Sequence, residues 1–159
     1  MKVRALTVLL LVTTLSVEAC GGDSGTGPGQ RYETIAGTYA GALVGLSQGV
    51  ALNSTFSLTI SQNQGGLSGS RGLSGTLNDG VSFVNVVGTG TLSGTIAAGN
   101  NPSVNITARA PACPNYQAQF SGAYDVSNQR LTITGPIDFF ANNSCNVVLS
   151  YPSTIILKR

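Results

Sequence analysis

At 159 residues the chain has room for one domain and not comfortably for two. Hydrophobic residues make up 42% and charged residues 9%, a balance that supports a core and excludes intrinsic disorder, which pairs low hydrophobicity with high charge. The formal net charge of +2 becomes +1 for residues 20–159, six basic side chains against five acidic, which is no electrostatic footprint for nucleic acid.

The chain opens with Lys2 and Arg4, then an apolar run of 11 residues at 5–15, closed by Ser16-Val17-Glu18-Ala19-Cys20. A bilayer-spanning helix needs about 20 apolar residues, so this run is too short to cross. It fits a secretory signal peptide over residues 1–19. Val17-Glu18-Ala19-Cys20 resembles the bacterial lipobox, departing from its usual pattern at Val17 and at the charged Glu18. The resemblance implies that Cys20 is lipidated and becomes the mature N-terminus, anchoring the protein in a bacterial cell envelope. Gly21 rather than Asp follows the cysteine, which implies the outer membrane. Val17-x-Ala19 also suits an ordinary signal peptidase, and that route would leave a periplasmic or secreted product. Residues 20–31 are a flexible Gly/Ser-rich tether, so the folded domain is expected over 32–159. Gly22-Asp23-Ser24-Gly25 looks like a serine-protease nucleophile loop, but the chain has no His to take the serine proton.

Beyond the tether, residues 35–45 read as a first strand and 45–51 as an apolar connector lying over one end of the domain. Residues 53–77 set the pattern for the rest. Phe56, Leu58 and Ile60 alternate with Thr55, Ser57, Thr59 and Ser61, the period of two of a half-buried strand. Residues 62–66 then turn the chain, with glycine supplying the positive φ of a hairpin, and Leu67, Leu73 and Leu77 resume the apolar parity. Asp79-Gly80 is the strongest hairpin cue. Residues 81–87 break phase, which predicts a bulge or a strand covered on both faces. Leu92 and Ile96 carry the next strand, then Val104, Ile106 and Ala108, then Tyr116, Ala118, Phe120 and Tyr124. Leu131, Ile133, Ile137 and Phe139 follow, and Val147, Leu149, Tyr151, Ile155 and Leu157 form the last run. Pro136 and Pro152 each remove a ladder hydrogen bond and belong at an edge, a bulge or an open seam.

No helix-period segment appears after the signal peptide. Eight or nine antiparallel strands with short turns predict an all-β domain, an up-and-down meander closing into a barrel of about eight strands, with a β-sandwich as the alternative. With Cys20 lipidated, Cys113 and Cys145 remain as a pair in a compartment where disulfides persist. In a meander their two loops fall at the same mouth, so a Cys113–Cys145 disulfide is geometrically permitted.

Gly37-Thr38-Tyr39 in the first strand, the apolar connector, the run of hairpins and the basic end Lys158-Arg159 together resemble the calycin superfamily, of which lipocalins are members. Their first strand carries Gly-x-Trp, and Tyr39 stands here in the place of the Trp. The resemblance implies an eight-stranded barrel able to hold a small hydrophobic ligand, with Tyr39 as a ligand contact, although an ordinary core residue is its plainer reading. Arg71 lies on the inward parity between Leu67 and Leu73, where an unpaired cation is costly. It either meets the carboxylate of a fatty-acid-like ligand or is turned to solvent by a glycine bulge at 69, 72 or 75, which is the ordinary expectation. Glycines 69, 75, 90, 94, 122 and 135 share the apolar parity and either leave room inside the barrel or relieve curvature.

Without His, and with its thiols assigned, the chain offers no zinc site, no catalytic constellation and no cofactor motif. The expectation is a non-enzymatic, membrane-anchored binding module for a small hydrophobic ligand or an envelope component. The alternative is a solid surface module that contacts polysaccharide or partner proteins.

Overall fold

The alternation written in the sequence becomes eight strands: β1 (Gly37–Ser47), β2 (Val50–Asn63), β3 (Gly66–Asn78), β4 (Phe83–Ile96), β5 (Ser103–Ala110), β6 (Cys113–Asp125), β7 (Arg130–Phe140) and β8 (Val147–Lys158). The computed structural model describes residues 30–159 apart from 142 and 143; the expected signal peptide, Cys20 and the protease-like tetrapeptide lie outside the described residues. Each strand pairs antiparallel with the next, and Ala40 of β1 meets Lys158 of β8, closing the sheet into an eight-stranded barrel. The fold is therefore the up-and-down barrel rather than the sandwich. Closure gives the first and last strands each a neighbour on the side where an open sheet would end.

The apolar parity of every strand points inward. Tyr39, Leu43, Leu52, Phe56, Leu58, Ile106, Phe120, Leu131, Ile133, Ile155 and Leu157 are all buried, and the Phe56 and Phe120 rings meet across the interior at 6.1 Å. The middle of the barrel is thus filled by side chains, as small eight-stranded barrels often are. Ser, Thr and Asn dominate the outer parity, the inverse of the apolar-out pattern of a membrane-spanning barrel.

Two expectations for the first hairpin change. Residues 45–51 form no connector. Gly45 to Ser47 end β1, Val50 and Ala51 open β2, and only Gln48-Gly49 lies between. Their φ angles of 50° and 80° are those of a two-residue primed turn, whose twist matches the flanking strands. Ile35 does not begin β1 either. It leaves the sheet and is fully buried at the barrel's end. At the second turn the positive φ of 52° sits on Gln64 rather than on a glycine. Gly65 serves a different need there, since a Cβ on it would come within 2.7 Å of the Tyr32 ring.

The apolar-parity glycines do not enlarge the interior. A Cβ at Gly69, Gly75, Gly90, Gly94, Gly122 or Gly135 would run into a carbonyl oxygen of the neighbouring strand. They sit where a tightly coiled wall brings two backbones together, which only glycine permits. Of the two expectations for these positions, the relief of curvature is the one realised.

Candidate functional site

The barrel's two ends are finished differently. The chain enters at one end, which also holds the β2–β3, β4–β5 and β6–β7 turns. Residues 30–36 cross this end and seal it. The Ile35 N–H donates to Gln62 Oε1 at 2.8 Å and Gln62 Nε2 donates to the Glu33 carbonyl at 2.9 Å. The Tyr39 hydroxyl donates to the Ile35 carbonyl at 2.9 Å, and its ring packs edge-on against Tyr124 at 6.4 Å. Burial, followed by the neighbouring Tyr124, raises the Tyr39 pKa far above the ordinary phenol value. Tyr39 is thus a fully buried core residue. Arg159 crosses the same end and donates to the Ala36 carbonyl at 2.6 Å.

The opposite end is open, and strand lengths explain why. β4 has 14 residues and β5 only eight, so their ladder stops at Thr91 opposite Arg109. Below that point β4 has no neighbour on this side. The β6–β7 ladder also ends early, at Ser121 opposite Thr134. Pro136 lies directly opposite Pro152 in the β7–β8 ladder. Since neither has an N–H to give the other, each imide nitrogen faces the adjacent seam, where a missing donor costs least. Side chains hold the β6–β7 seam together in place of the ladder. A disulfide joins Cys113 to Cys145 with the Cα atoms 5.5 Å apart, as the meander topology allowed. The Tyr116 hydroxyl donates to Asp138, and the Tyr116 and Phe140 rings meet edge to face at 4.8 Å.

Between these incomplete seams lies a cleft of about 960 Å³, with Arg71, Leu73, Val86, Ile137, Asp138 and Phe139 among its lining. β3 keeps an unbroken register with both neighbours. No bulge turns Arg71 outward, contrary to the ordinary expectation, and its side chain faces the cleft. The buried Nε of Arg71 has no hydrogen-bond partner, and none of the described carboxylates forms an ion pair with it. Burial depresses the Arg71 pKa, and the Asp138 carboxylate partly offsets this. Asp138 and Tyr116 escaped the sequence reading because both looked like ordinary members of alternating strands. Pro136, two residues before Asp138 and already placed at a seam, was the available signal.

The phase break at 81–87 is neither a bulge nor a doubly covered strand. Val81 lies in the β3–β4 loop, and β4 is in unbroken register with β3 from Phe83 onward. Phe83 and Val87 face outward, 75% and 80% exposed. Other exposed apolar residues gather at this same end: Val44 and Leu46 of β1, Val84 of β4, and Val147 and Val148 of β8.

Among the described residues, two further carboxylates serve turns. Asp79 accepts from the Val81 and Ser82 amides at 2.9 and 2.7 Å, and these bonds hold its pKa below the ordinary value, the Ser82 amide most strongly. Asp125 accepts from Asn128 in the β6–β7 turn and pairs with Arg130 at 3.5 Å. Among the described residues no group of three or more His, Cys, Asp or Glu is placed to hold a metal ion. No protein-family model, no curated protein and no solved structure matches the chain.

Proposed function

We propose that this chain is a membrane-anchored envelope lipoprotein whose barrel is a non-enzymatic binding module for a small hydrophobic ligand with an anionic end. The observation that carries the reading is Arg71, whose side chain lines an open cleft of about 960 Å³ and has no ion pair with any described carboxylate. Small-molecule sites are clefts of roughly 300–1,000 Å³ with apolar walls and a few convergent polar groups. A carboxylate reaching the Arg71 guanidinium would make a charge-assisted hydrogen bond and pair a partly desolvated cation. Leu73, Ile137 and Phe139 supply apolar wall for the chain of such a ligand. The filled middle of the barrel confines the ligand to the cleft end, so the site is a shallow mouth rather than a deep cup. Gly37, Tyr39 and Arg159 meet at the packed end, where Arg159 lies so close to Gly37 that a Cβ there would touch its guanidinium. This supports kinship with the calycins.

Binding of a fluorescent long-chain carboxylate to the full chain tests the ligand reading. Arg71→Gln is expected to weaken that binding about 10- to 100-fold, the worth of a hydrogen bond to a charged group, and to leave binding of the matching alcohol unchanged. Absence of saturable carboxylate binding, or equal affinity in the variant, sinks the proposal. The anchor is tested separately by metabolic labelling with a palmitate analogue, which should mark the chain and not Cys20→Ser. Equal labelling removes the anchor. The second reading, a surface module contacting polysaccharide or partner proteins, is supported by the exposed apolar rim at the cleft end.

A further inference from the structure

The β4 edge that forms one lip of the cleft points to a specific occupant. In β4 the main-chain groups alternate sides: the Ile96 N–H donates toward the β2–β3 turn at Gly65, and the N–H of Ala97, the next residue, donates to Ser103 at the start of β5. The register with β3 is unbroken, so this alternation runs the length of the strand. Phe83, Asn85, Val87 and Thr89 therefore direct their N–H and C=O groups away from β3, to the side where β5 is absent. Natural edges are commonly guarded by lysine, proline or a bulge. Residues 81–90, VSFVNVVGTG, contain no charge and no proline, and the register shows no bulge.

This edge is close to palindromic. Phe83-Val84-Asn85-Val86-Val87, laid antiparallel on itself about Asn85, sets Phe83 opposite Val87 of the second copy on the outer face. On the inner face it sets Val84 opposite Val86, and Asn85 meets its own image. Every apolar side chain opposes an apolar one. Phe83, Asn85 and Val87 all turn their main-chain groups to the partner, so all three become hydrogen-bonded pairs. A two-fold interface requires one patch to complement itself, and this strand does so in sequence and in hydrogen bonding alike.

We propose that two copies of the chain pair through their β4 edges, antiparallel and centred on Asn85, so that the sheet runs continuously through β3-β4-β4-β3 across the dimer. The pairing rests on the edge alone and does not depend on the ligand reading.

Oxidative cross-linking of the full chain carrying Asn85→Cys tests it. Equivalent Cα atoms in a hydrogen-bonded antiparallel pair lie about 5.5 Å apart, within the span of a disulfide. The expected result is a dimer whose mapped peptide joins position 85 to position 85, with Cys113–Cys145 intact. Val44→Cys, exposed on β1 at the same end, serves as the collision control and should yield little. Adding Val87→Lys places the charge in the interface twice and should weaken dimerisation at least about tenfold, while the circular dichroism spectrum stays unchanged. A cross-link no greater than that of Val44→Cys overturns the proposal. So does a monomer in sedimentation at high concentration, or a position-85 cross-link made only to a different protein.

Discussion

The two ends of the barrel are made from the same alternating strands and differ in what completes them. At the packed end a segment of coil lays Ile35 over the opening, and Gln62 and Tyr39 satisfy its backbone. At the cleft end two ladders stop early, and a disulfide, a hydroxyl–carboxylate bond and a ring pair hold what main-chain bonding leaves apart. The difference teaches that closing the strand order and closing the wall are separate achievements. The first needs only that β8 find β1. The second needs neighbouring hairpins of equal length, and the β5–β6 hairpin is shorter than the β3–β4 hairpin beside it.

Core truncation separates the ends most sharply. Phe56→Ala removes a fully buried ring from the filled middle and is expected to cost about 3–5 kcal/mol. Phe139→Ala, on a partly buried ring of the cleft wall, should cost roughly 1–2 kcal/mol, because part of that ring already faces water. Chemical denaturation measures both, and equal losses would dissolve the distinction between the ends.

Removing the disulfide with Cys113→Ala and Cys145→Ala sharpens the comparison. For a sequence separation of 32, the chain-entropy model gives about 3–4 kcal/mol. The loss should be accompanied by faster hydrogen exchange in residues 113–120 and 135–140, where the ladder is missing, with the packed end still protected. Uniform loss of protection would mean that the disulfide braces the whole barrel rather than one seam.

The smallest effect is a pH dependence common to both ends. Asp79 at the open end and Asp125 at the packed end titrate below the ordinary carboxylate value, through hydrogen bonds from Ser82 and Val81 and from Asn128, respectively. A depressed folded pKa contributes stability that is present above the unfolded value and is lost as pH falls through the folded one. Asp79→Asn and Asp125→Asn should therefore each flatten the acid limb of the stability curve slightly, and to a similar degree. An acid limb unchanged in both variants would show that these turns carry no linked stability.

Much of the barrel was legible in the residues and less of the site. Parity placed Phe56, Phe120 and Leu131 inside and Arg71 among them, because period-two alternation is a local consequence of strand geometry. The turn after β1 was missed, since its positive φ falls on Gln48, a residue with little turn signal, beside Gly49. The cleft was missed as a place. Its walls come from β3, β4 and β7 and from the β5–β6 and β7–β8 loops, and no local pattern records how far one hairpin overhangs the next.

By itself, the sequence determined the all-β class, the inward and outward faces and the meander, and it permitted the pairing of Cys113 with Cys145. All of these follow from alternation, turn chemistry and loop parity, which are properties of neighbours along the chain. Only the tertiary structure decided that Ile35 plugs one end and that the inward glycines meet carbonyl oxygens rather than empty space. It also decided that Arg71 faces a cleft and that β4 keeps a bare edge. Each of these depends on where separate hairpins end relative to one another, and that is set by the coiling and closure of the whole sheet.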